Sequence, residues 1–452
     1  MDFVNKQNMI LLTDLYELSM CASYFDSGKQ KEIATFDLFI RKLPPNRSYY
    51  IFAGLEQILH FLEQIHFSEK QLKFLQKIGF KEEFLNYLQN FIFSGNVNSV
   101  PEGTIVFPDE PLIRVTAPII EAQMVETFLL NSINLQTMIA TKASRIVEAA
   151  KGRPLIDFGL RRCQGTDAGM KAARSSFIAG FLGTSNVLAG WKYGIPIFGT
   201  MAHSFVQSFN KEIDAFRTFY KSFPDKSTFL VDTYDTKEGV KKAVIVAKEM
   251  EKLGYKLQGI RLDSGDLNKL SKKSRRILDE NGLSYVKIFV SGDLDEYKIS
   301  KFVLDNAPID SFGVGTRMVT SVDRPYVDVV YKLSEIIKNE KVTPVIKLSE
   351  GKSTLPGRKN TFRQIDDNGH YVKDIIGLED EKFEGSMLNP VMVDGKITYD
   401  LPSLKAIRAN TIQNLSNLPE KYKKLESAQK YPVEISDELD DLLKNVENKL
   451  RK

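Results

Sequence analysis

Residues 228–266 read TFLVDTYDTKEGVKKAVIVAKEMEKLGYKLQGIRLDSGD. Two short apolar runs, at 228–232 and 258–262, each give way to a polar turn containing aspartate. Between them Val240, Ala243, Val244, Ala247, Met250 and Leu253 recur on one helical face, and Gly254 is a natural residue to stop that helix. Strand, helix and strand in this order make a parallel crossover. Working outward, the same alternation predicts strands at 154–158, 195–199, 285–290 and 311–315, with a further short run near 184–188. A second helix is expected to open near Asp266, to carry Leu267, Leu270, Ile277 and Leu278, and to end near Gly282.

The flanks differ from this core. Before it, helix-like stretches at 69–90 are followed by a proline-punctuated β segment, PEGTIVFPDEPLIRVTAP, at 101–118. After it come VDVVYKL and VTPVIKL, then a charged helical pattern ending ELDDLLKNVENKLRK, which reads as a solvated face. The expected division is therefore an α+β part at 1–135, an α/β barrel-like part at 136–326, and a part at 327–452 packing on the first. At 452 residues the chain exceeds one ordinary domain.

A net charge of +4, from 62 basic and 58 acidic side chains, gives no support to nucleic-acid or membrane binding. Two cysteines, Cys21 and Cys163, are too few for a disulfide framework or a zinc knuckle, so no zinc is expected and a cytoplasmic location is. The N-terminus lacks a signal-peptide pattern, and no run reaches a membrane span.

The predicted strands are followed by DFGLRR, GTS, GTMAHS, DTYD, RLDSGD, SGDLD and GVGTR. In an α/β barrel such loops converge on one face. Gly292 and Gly315 would permit close backbone approach to an anion, and Arg161, Arg261 and Arg317 add positive charge. Taken singly, each turn reads as an ordinary cap; their repetition around one face favours a phosphate-binding pocket. Asp232, Asp235, Asp263, Asp266 and Asp293 divide between helix caps and groups able to bind ribose hydroxyls or Mg²⁺ through water. His203 stands apart by its place in GTMAHS, where a hydrogen-bonded and a catalytic histidine are equally compatible with position. His60 and His66 fall in a helical stretch, and with His370 they read as structural. Phe158 and Tyr16 read first as core or interface residues, with stacking on a flat substrate as the alternative. Cys163 beside Arg161 and Arg162 could have a lowered pKa but lacks a base partner.

LLTDLYELSM, FDLFIRKLP, DFGLRRCQG, FLGTSNVLAG, GTMAHSFVQSF, VDTYDT, IRLDSGDL and FGVGTR together resemble nicotinate phosphoribosyltransferases, as does KLSEGKSTLPGRKNTFR. Beyond about Arg408 no likeness is evident. The resemblance implies an α/β fold, an irregular α/β barrel with an α+β domain built from both chain ends. It implies formation of nicotinate mononucleotide and diphosphate from nicotinate and 5-phosphoribosyl 1-diphosphate (PRPP) in NAD salvage, with Mg²⁺ and with ATP as co-substrate. His203 would be the transient phosphate carrier, acting with Asp263 and Arg261. Arg161, Thr200 and Arg261 would hold carboxylate and phosphate groups, and Asp232 and Asp263 would serve ribose, diphosphate or metal. Gly292, Asp293, Gly315 and Thr316 would cradle the 5′-phosphate. A homodimer with shared active sites is implied, Tyr16 of the neighbouring copy stacking on nicotinate opposite Phe158. Related nicotinamide-using enzymes carry an acidic side chain where this chain has Ser185, which favours the acid as substrate. The alternatives are a nicotinamide or quinolinate phosphoribosyltransferase, or a non-catalytic phosphosugar-binding homologue.

Overall fold

Strands at Leu155–Asp157, Gly183–Thr184, Thr228–Leu230, Gly259–Leu262, Lys287–Val290 and Ser311–Val314 form one parallel sheet. Its spatial order runs Gly183–Thr184, Leu155–Asp157, Ser311–Val314, Lys287–Val290, Gly259–Leu262 and Thr228–Leu230. A parallel bridge from Thr184 to Ile197 adds a further position beside the first of these. Apart from Gly183–Thr184 and Thr228–Leu230, which stand at the two ends of the sheet, each strand neighbours the next in sequence, and the last pairs back onto Leu155–Asp157, the winding of a barrel. Among the described residues no backbone pairing joins Ile197 to Thr228–Leu230. Side chains span that gap, His203 Nδ1 lying 3.1 Å from Thr233 Oγ1 and Arg261 Nη1 donating to Thr200 Oγ1 at 3.1 Å. The result is an irregular α/β barrel. The computed structural model describes residues 4–45, 47–349 and 353–451, so 350–352 of the KLSEGKSTLPGRKNTFR stretch lie outside it.

Local chemistry explains the crossovers. Asp235 caps the helix Thr236–Lys252 by accepting from the Glu238 amide at 2.9 Å, and Gly254 follows its end with φ +83. Val240, Ala243, Val244, Ala247 and Met250 are buried as predicted; Leu253 instead lies just past the helix and is exposed. Asp266 caps Leu267–Glu280 through the Lys269 amide at 3.1 Å.

Three expectations need correction. The predicted strand at 195–199 is a single bridge, because Pro196 has no N–H to donate and only Thr184 pairs with the segment, through Thr184 N to Pro196 O and Phe198 N to Thr184 O, each 3.0 Å. Near 184–188 only Gly183–Thr184 is extended; the Asn186 side chain accepts from Ala189 N at 3.1 Å and starts the helix Val187–Tyr193. His66 follows the helix Leu55–Gln64 rather than lying in it.

The chain divides into two compact units, Met1–Met138 with Tyr326–Lys452, and Ile139–Pro325. In the first, an antiparallel sheet runs Lys341–Pro344, Val329–Lys338, Ile33–Ile40, Ile113–Pro118, Asn96–Ser99, Asn389–Val393 and Lys396–Ile397, so both chain ends build one α+β domain. The helices Glu69–Lys77 and Glu82–Gln89 are separated at Gly79, and the tail forms the helix Asp437–Leu450, capped by Ser436. No described helix is long and apolar enough to cross a membrane.

A second three-stranded sheet in this unit, Lys359–Ile365, Tyr371–Leu378 and Val433–Ile435, carries a buried charged cluster. Arg363 grips Asp374 with two guanidinium nitrogens and lies over the Tyr371 ring at 4.4 Å, while Tyr431 donates to Asp374 Oδ1 at 3.1 Å. Glu110, buried nearby, accepts from the Phe107 amide at 2.9 Å; burial, then the Asp374 charge, pushes its carboxyl well above the usual range. A carboxyl raised on folding contributes stability that is complete below its unfolded pKa and fades as pH rises through the folded one. Glu110→Gln, permanently neutral, is therefore expected to flatten the decline in melting temperature as pH rises above the ordinary carboxylate range, and an unchanged decline would reject this assignment.

Candidate active site

Every candidate in the barrel lies at or just beyond the carboxyl end of a strand or of the Ile197 bridge, where side chains from separate crossovers meet. Arg261, near the end of Gly259–Leu262, is the hub. Its Nε donates to Ser291 Oγ at 2.7 Å, Nη1 to Thr200 Oγ1 at 3.1 Å, and Nη2 to Asp263 Oδ1 at 2.7 Å. The guanidinium carbon also stands 5.3 Å from the centre of the Phe158 ring. One fork-shaped cation thereby joins four loops.

Asp263 receives a further hydrogen bond from Ser291 and places Oδ2 3.9 Å from His203 Nε2. Burial pushes its carboxyl up, but the Ser291 hydrogen bond, the Arg261 charge and hydrogen bond, and His203 outweigh it and hold it below the usual carboxylate range. The Asp263 amide donates to Asp232 Oδ2 at 2.8 Å, as does the Ser264 hydroxyl at 2.8 Å, whereas Asp232 Oδ1 is buried without a hydrogen-bond partner among the described residues. His203 opens the short helix His203–Gln207, with its side chain about two-fifths exposed.

The next two loops are bound to each other. Gly292 has φ +104, and a Cβ there would stand 2.0 Å from the Asp263 carbonyl oxygen, so only glycine fits. Asp293 follows in the left-handed region and is held by Arg317 through Nε and Nη2, each 2.9 Å from a carboxylate oxygen, and by Lys298 at 3.2 Å. These bonds, Arg317 foremost, hold its carboxyl at about 2. The Asp293 carboxylate is thus engaged in clamping the loop to Gly315–Thr316–Arg317, leaving backbone amides as the groups suited to an anion. Gly315 is under less demand, since a Cβ would lie 3.1 Å from the Phe158 carbonyl.

At the end of the strand Leu155–Asp157, Asp157 is buried, accepting from the Gly159 amide and the Thr184 hydroxyl at 2.7 Å each. Its carbonyl receives the Ser185 amide at 2.8 Å, which fixes Ser185 beside the end of the strand that Phe158 follows. Phe158 is half-buried, its ring 5.5 Å from that of Phe289. Arg161 is exposed on the turn Leu160–Arg162. Cys163 does not gain the lowered pKa that its neighbouring arginines could give: burial, then the Asp157 charge, pushes its thiol up to about 11, in keeping with its being set aside as a nucleophile.

Models of the nicotinate phosphoribosyltransferase family match residues 11–134 (N-terminal domain), 154–376 (the family itself) and 384–443 (C-terminal domain). A nicotinate phosphoribosyltransferase of Mycobacterium tuberculosis is 45% identical over 433 residues, 95% of this chain and 92% of the relative. The Bacillus subtilis enzyme of that name is 40% identical over 461 residues, 95% and 94%. The chain belongs to the nicotinate phosphoribosyltransferase family. The crystal structure of human nicotinic acid phosphoribosyltransferase superposes with a TM-score of 0.87 at 27% identity, covering 96% of this chain and 99% of the human one. A nicotinate-nucleotide pyrophosphorylase from Pyrococcus furiosus follows with a TM-score of 0.75 at 27% identity, covering 92% and 98%.

Membership of the nicotinate phosphoribosyltransferase family extends into the tail past Arg408, where the sequence offered no likeness, since the C-terminal domain match runs to residue 443. Within this family member the structure brings Phe158, Thr200, His203, Asp232, Arg261 and Asp263 into one connected cluster. Tyr16 belongs to the other unit, exposed on the helix Leu15–Asp26. Three partners escaped the sequence reading: Ser291 on Arg261 and Asp263, Thr233 on His203, and Ser264 on Asp232. Their only signal was position, one residue beyond Val290, Asp232 and Asp263 in motifs already noted.

Proposed function

We propose that this protein forms nicotinate mononucleotide and diphosphate from nicotinate and PRPP, coupled to ATP hydrolysis through a phosphate carried on His203. The observation that carries the reading is the single network linking Arg261, Asp263 and His203 at the mouth of a family barrel. The pyridine nitrogen attacks C1 of the ribose as the C1–oxygen bond to diphosphate breaks, so positive charge grows on the sugar and negative charge on the leaving group. Arg261, with Arg161 and Thr200, answers the negative charge of nicotinate and phosphates; Phe158 offers a face for the pyridine ring. Gly292, Asp293, Gly315 and Thr316 form the 5′-phosphate cradle, with Asp293 acting through its clamp on Arg317.

In the carrier step the γ-phosphoryl of ATP passes to an imidazole nitrogen and ADP leaves; hydrolysis of the phosphohistidine to inorganic phosphate accompanies product formation. When Nδ1 carries the proton and donates it to Thr233, the Nε2 lone pair is free to accept the phosphoryl group beside Asp263. Mg²⁺ fits the donor set through Asp232 and Asp263, since Asp232 Oδ1 is buried and unpartnered and this ion completes its shell with water and phosphate oxygens. When bound, it would neutralise charge on the diphosphate. A homodimer in which Tyr16 completes the neighbouring site, working in the cytoplasm, belongs to the same reading.

The deciding experiment measures mononucleotide from PRPP with nicotinate or nicotinamide, each with and without ATP, while following ADP. Product from nicotinate, raised by ATP with ADP formed, supports the reading; product from nicotinamide alone overturns the choice of base, and none from either turns it toward a phosphosugar-binding protein. His203→Ala is expected to abolish ATP stimulation with the fold intact; an unchanged ATP response would refute the carrier role. Ser185→Asp should lower kcat/KM for nicotinate relative to nicotinamide by about tenfold or more, through like-charge repulsion in the pocket. Equal ratios in wild type and variant would remove Ser185 from the base pocket.

A further inference from the structure

A cavity of about 290 Å³ lies wholly within the α+β unit, walled by Phe39, Phe107, Ile376, Val433, Ile435 and Leu443. Its volume is that of roughly ten liquid water molecules, close to the lower end of ligand pockets. Asp37 also lines it, from the middle of Ile33–Ile40, and is only 2% exposed. The Oδ2 atom lies 2.7 Å from Lys359 Nζ, but Oδ1 has no hydrogen-bond partner among the described residues. A buried carboxylate oxygen left without a protein donor at the edge of a cavity with apolar and charged walls is an uncommon arrangement.

The surroundings narrow what such a donor can be. Lys359 Nζ also donates to the carbonyls of Leu355 at 2.9 Å and Gly357 at 2.7 Å, so it is fixed on Asp37 and cannot turn away to serve a guest. Tyr431, another wall residue, commits its hydroxyl to Asp374. A guest anion would face the Asp37 and Asp109 carboxylates, whereas a guest cation would face Lys332, Lys359 and Lys430, all of which line the space. A neutral O–H or N–H donor avoids both penalties, and the aromatic and branched walls suit a ring.

We propose that this cavity binds a small neutral molecule made of one apolar ring bearing a hydroxyl or amide donor for Asp37 Oδ1. The site is separate from the barrel cluster and uses none of its residues. The test uses the full-length protein with phenol as the probe, and toluene as the same ring without a donor, followed by ligand-observed saturation-transfer NMR. Phenol is expected to bind, and toluene about tenfold or more weaker, as befits loss of a hydrogen bond to a charged group. Leu443→Trp, which fills the space from the helix Asp437–Leu450, should abolish phenol binding. Ile435→Trp provides an independent filling substitution at a partly exposed strand position, should the first variant fail to fold. Phenol binding that survives in a folded filling variant, toluene binding equal to phenol, or no binding of phenol to the wild type would each overturn the proposal.

Discussion

Replacing Arg261 by alanine is expected to lower kcat for mononucleotide formation by about two to three orders of magnitude, the usual cost of losing a preorganised group aimed at developing negative charge. The expectation is specific to this residue because Arg261 is nearly buried and already bonded to Ser291, Thr200 and Asp263 before any substrate arrives. In the proposed role, no reorganisation would then be needed as the diphosphate charge grows. Its loss also leaves Asp263 next to His203 without its main countercharge, so the Asp263 carboxyl should rise from its depressed position. Arg261→Lys keeps a charge but cannot reach three acceptors with one planar fork, and should recover only part of the rate. Steady-state kinetics with circular dichroism on each variant check this. A folded Arg261→Ala enzyme within about tenfold of wild type would show that the charge on the leaving group is met elsewhere.

The second large effect concerns stability. Glu296→Ala is expected to cost about 3–5 kcal/mol, because it strips the countercharge from two buried cations. Glu296 is fully buried at the start of Glu296–Leu304; Lys142 Nζ lies 2.6 Å from Oε2 and Arg145 Nε 3.0 Å from Oε1. Asp323 relieves Lys142 at 2.8 Å, while Arg145 keeps a contact to the Tyr297 hydroxyl at 3.3 Å. This network anchors the helix that follows the Gly292–Asp293 loop to the long helix Glu126–Ala150. Burial alone would push the Glu296 carboxyl up, but the two cations outweigh it and hold it low. A depressed carboxyl contributes stability that is present above its unfolded pKa and is lost as pH falls through the folded one, so the wild type should lose this advantage in acid and Glu296→Ala should not. Urea unfolding at neutral and acid pH measures both effects. A loss below about 1 kcal/mol at neutral pH would mean that the cations find other partners.

How much of this was legible beforehand depends on the range over which each interaction acts. Helix Thr236–Lys252 was readable because its apolar face, its Asp235 cap and its Gly254 stop are all local. The segment at 195–199 misled because apolar content marks burial, while a strand also needs a partner with free donors and acceptors, and Pro196 supplies no donor. Likewise the short stretch after Gly183 reads as apolar and extended until Asn186 is seen to cap a helix. In the site, His203 stood apart by its place in GTMAHS and Arg261 by its charge, but Asp263 and Asp293 belonged to one set of aspartates that local pattern left undivided, and nothing local marked Asp293 as a clamp. Its pairing with Arg317, 24 residues away, required both loops in place.

The βα alternation, the separate character of the flanks, and the set of polar turns from which a site could be built are written in local sequence, because periodicity, caps and turn residues act over a few positions. It took the folded arrangement to show that Arg261 is the hub rather than Arg161, that Asp293 is a clamp, that Asp37 lines a cavity, and that Lys142, Arg145 and Glu296 form one buried unit. Those outcomes turn on which charges lose water together. Desolvation and ion pairing depend on distances of a few ångströms between residues far apart in sequence, which only the closed fold fixes.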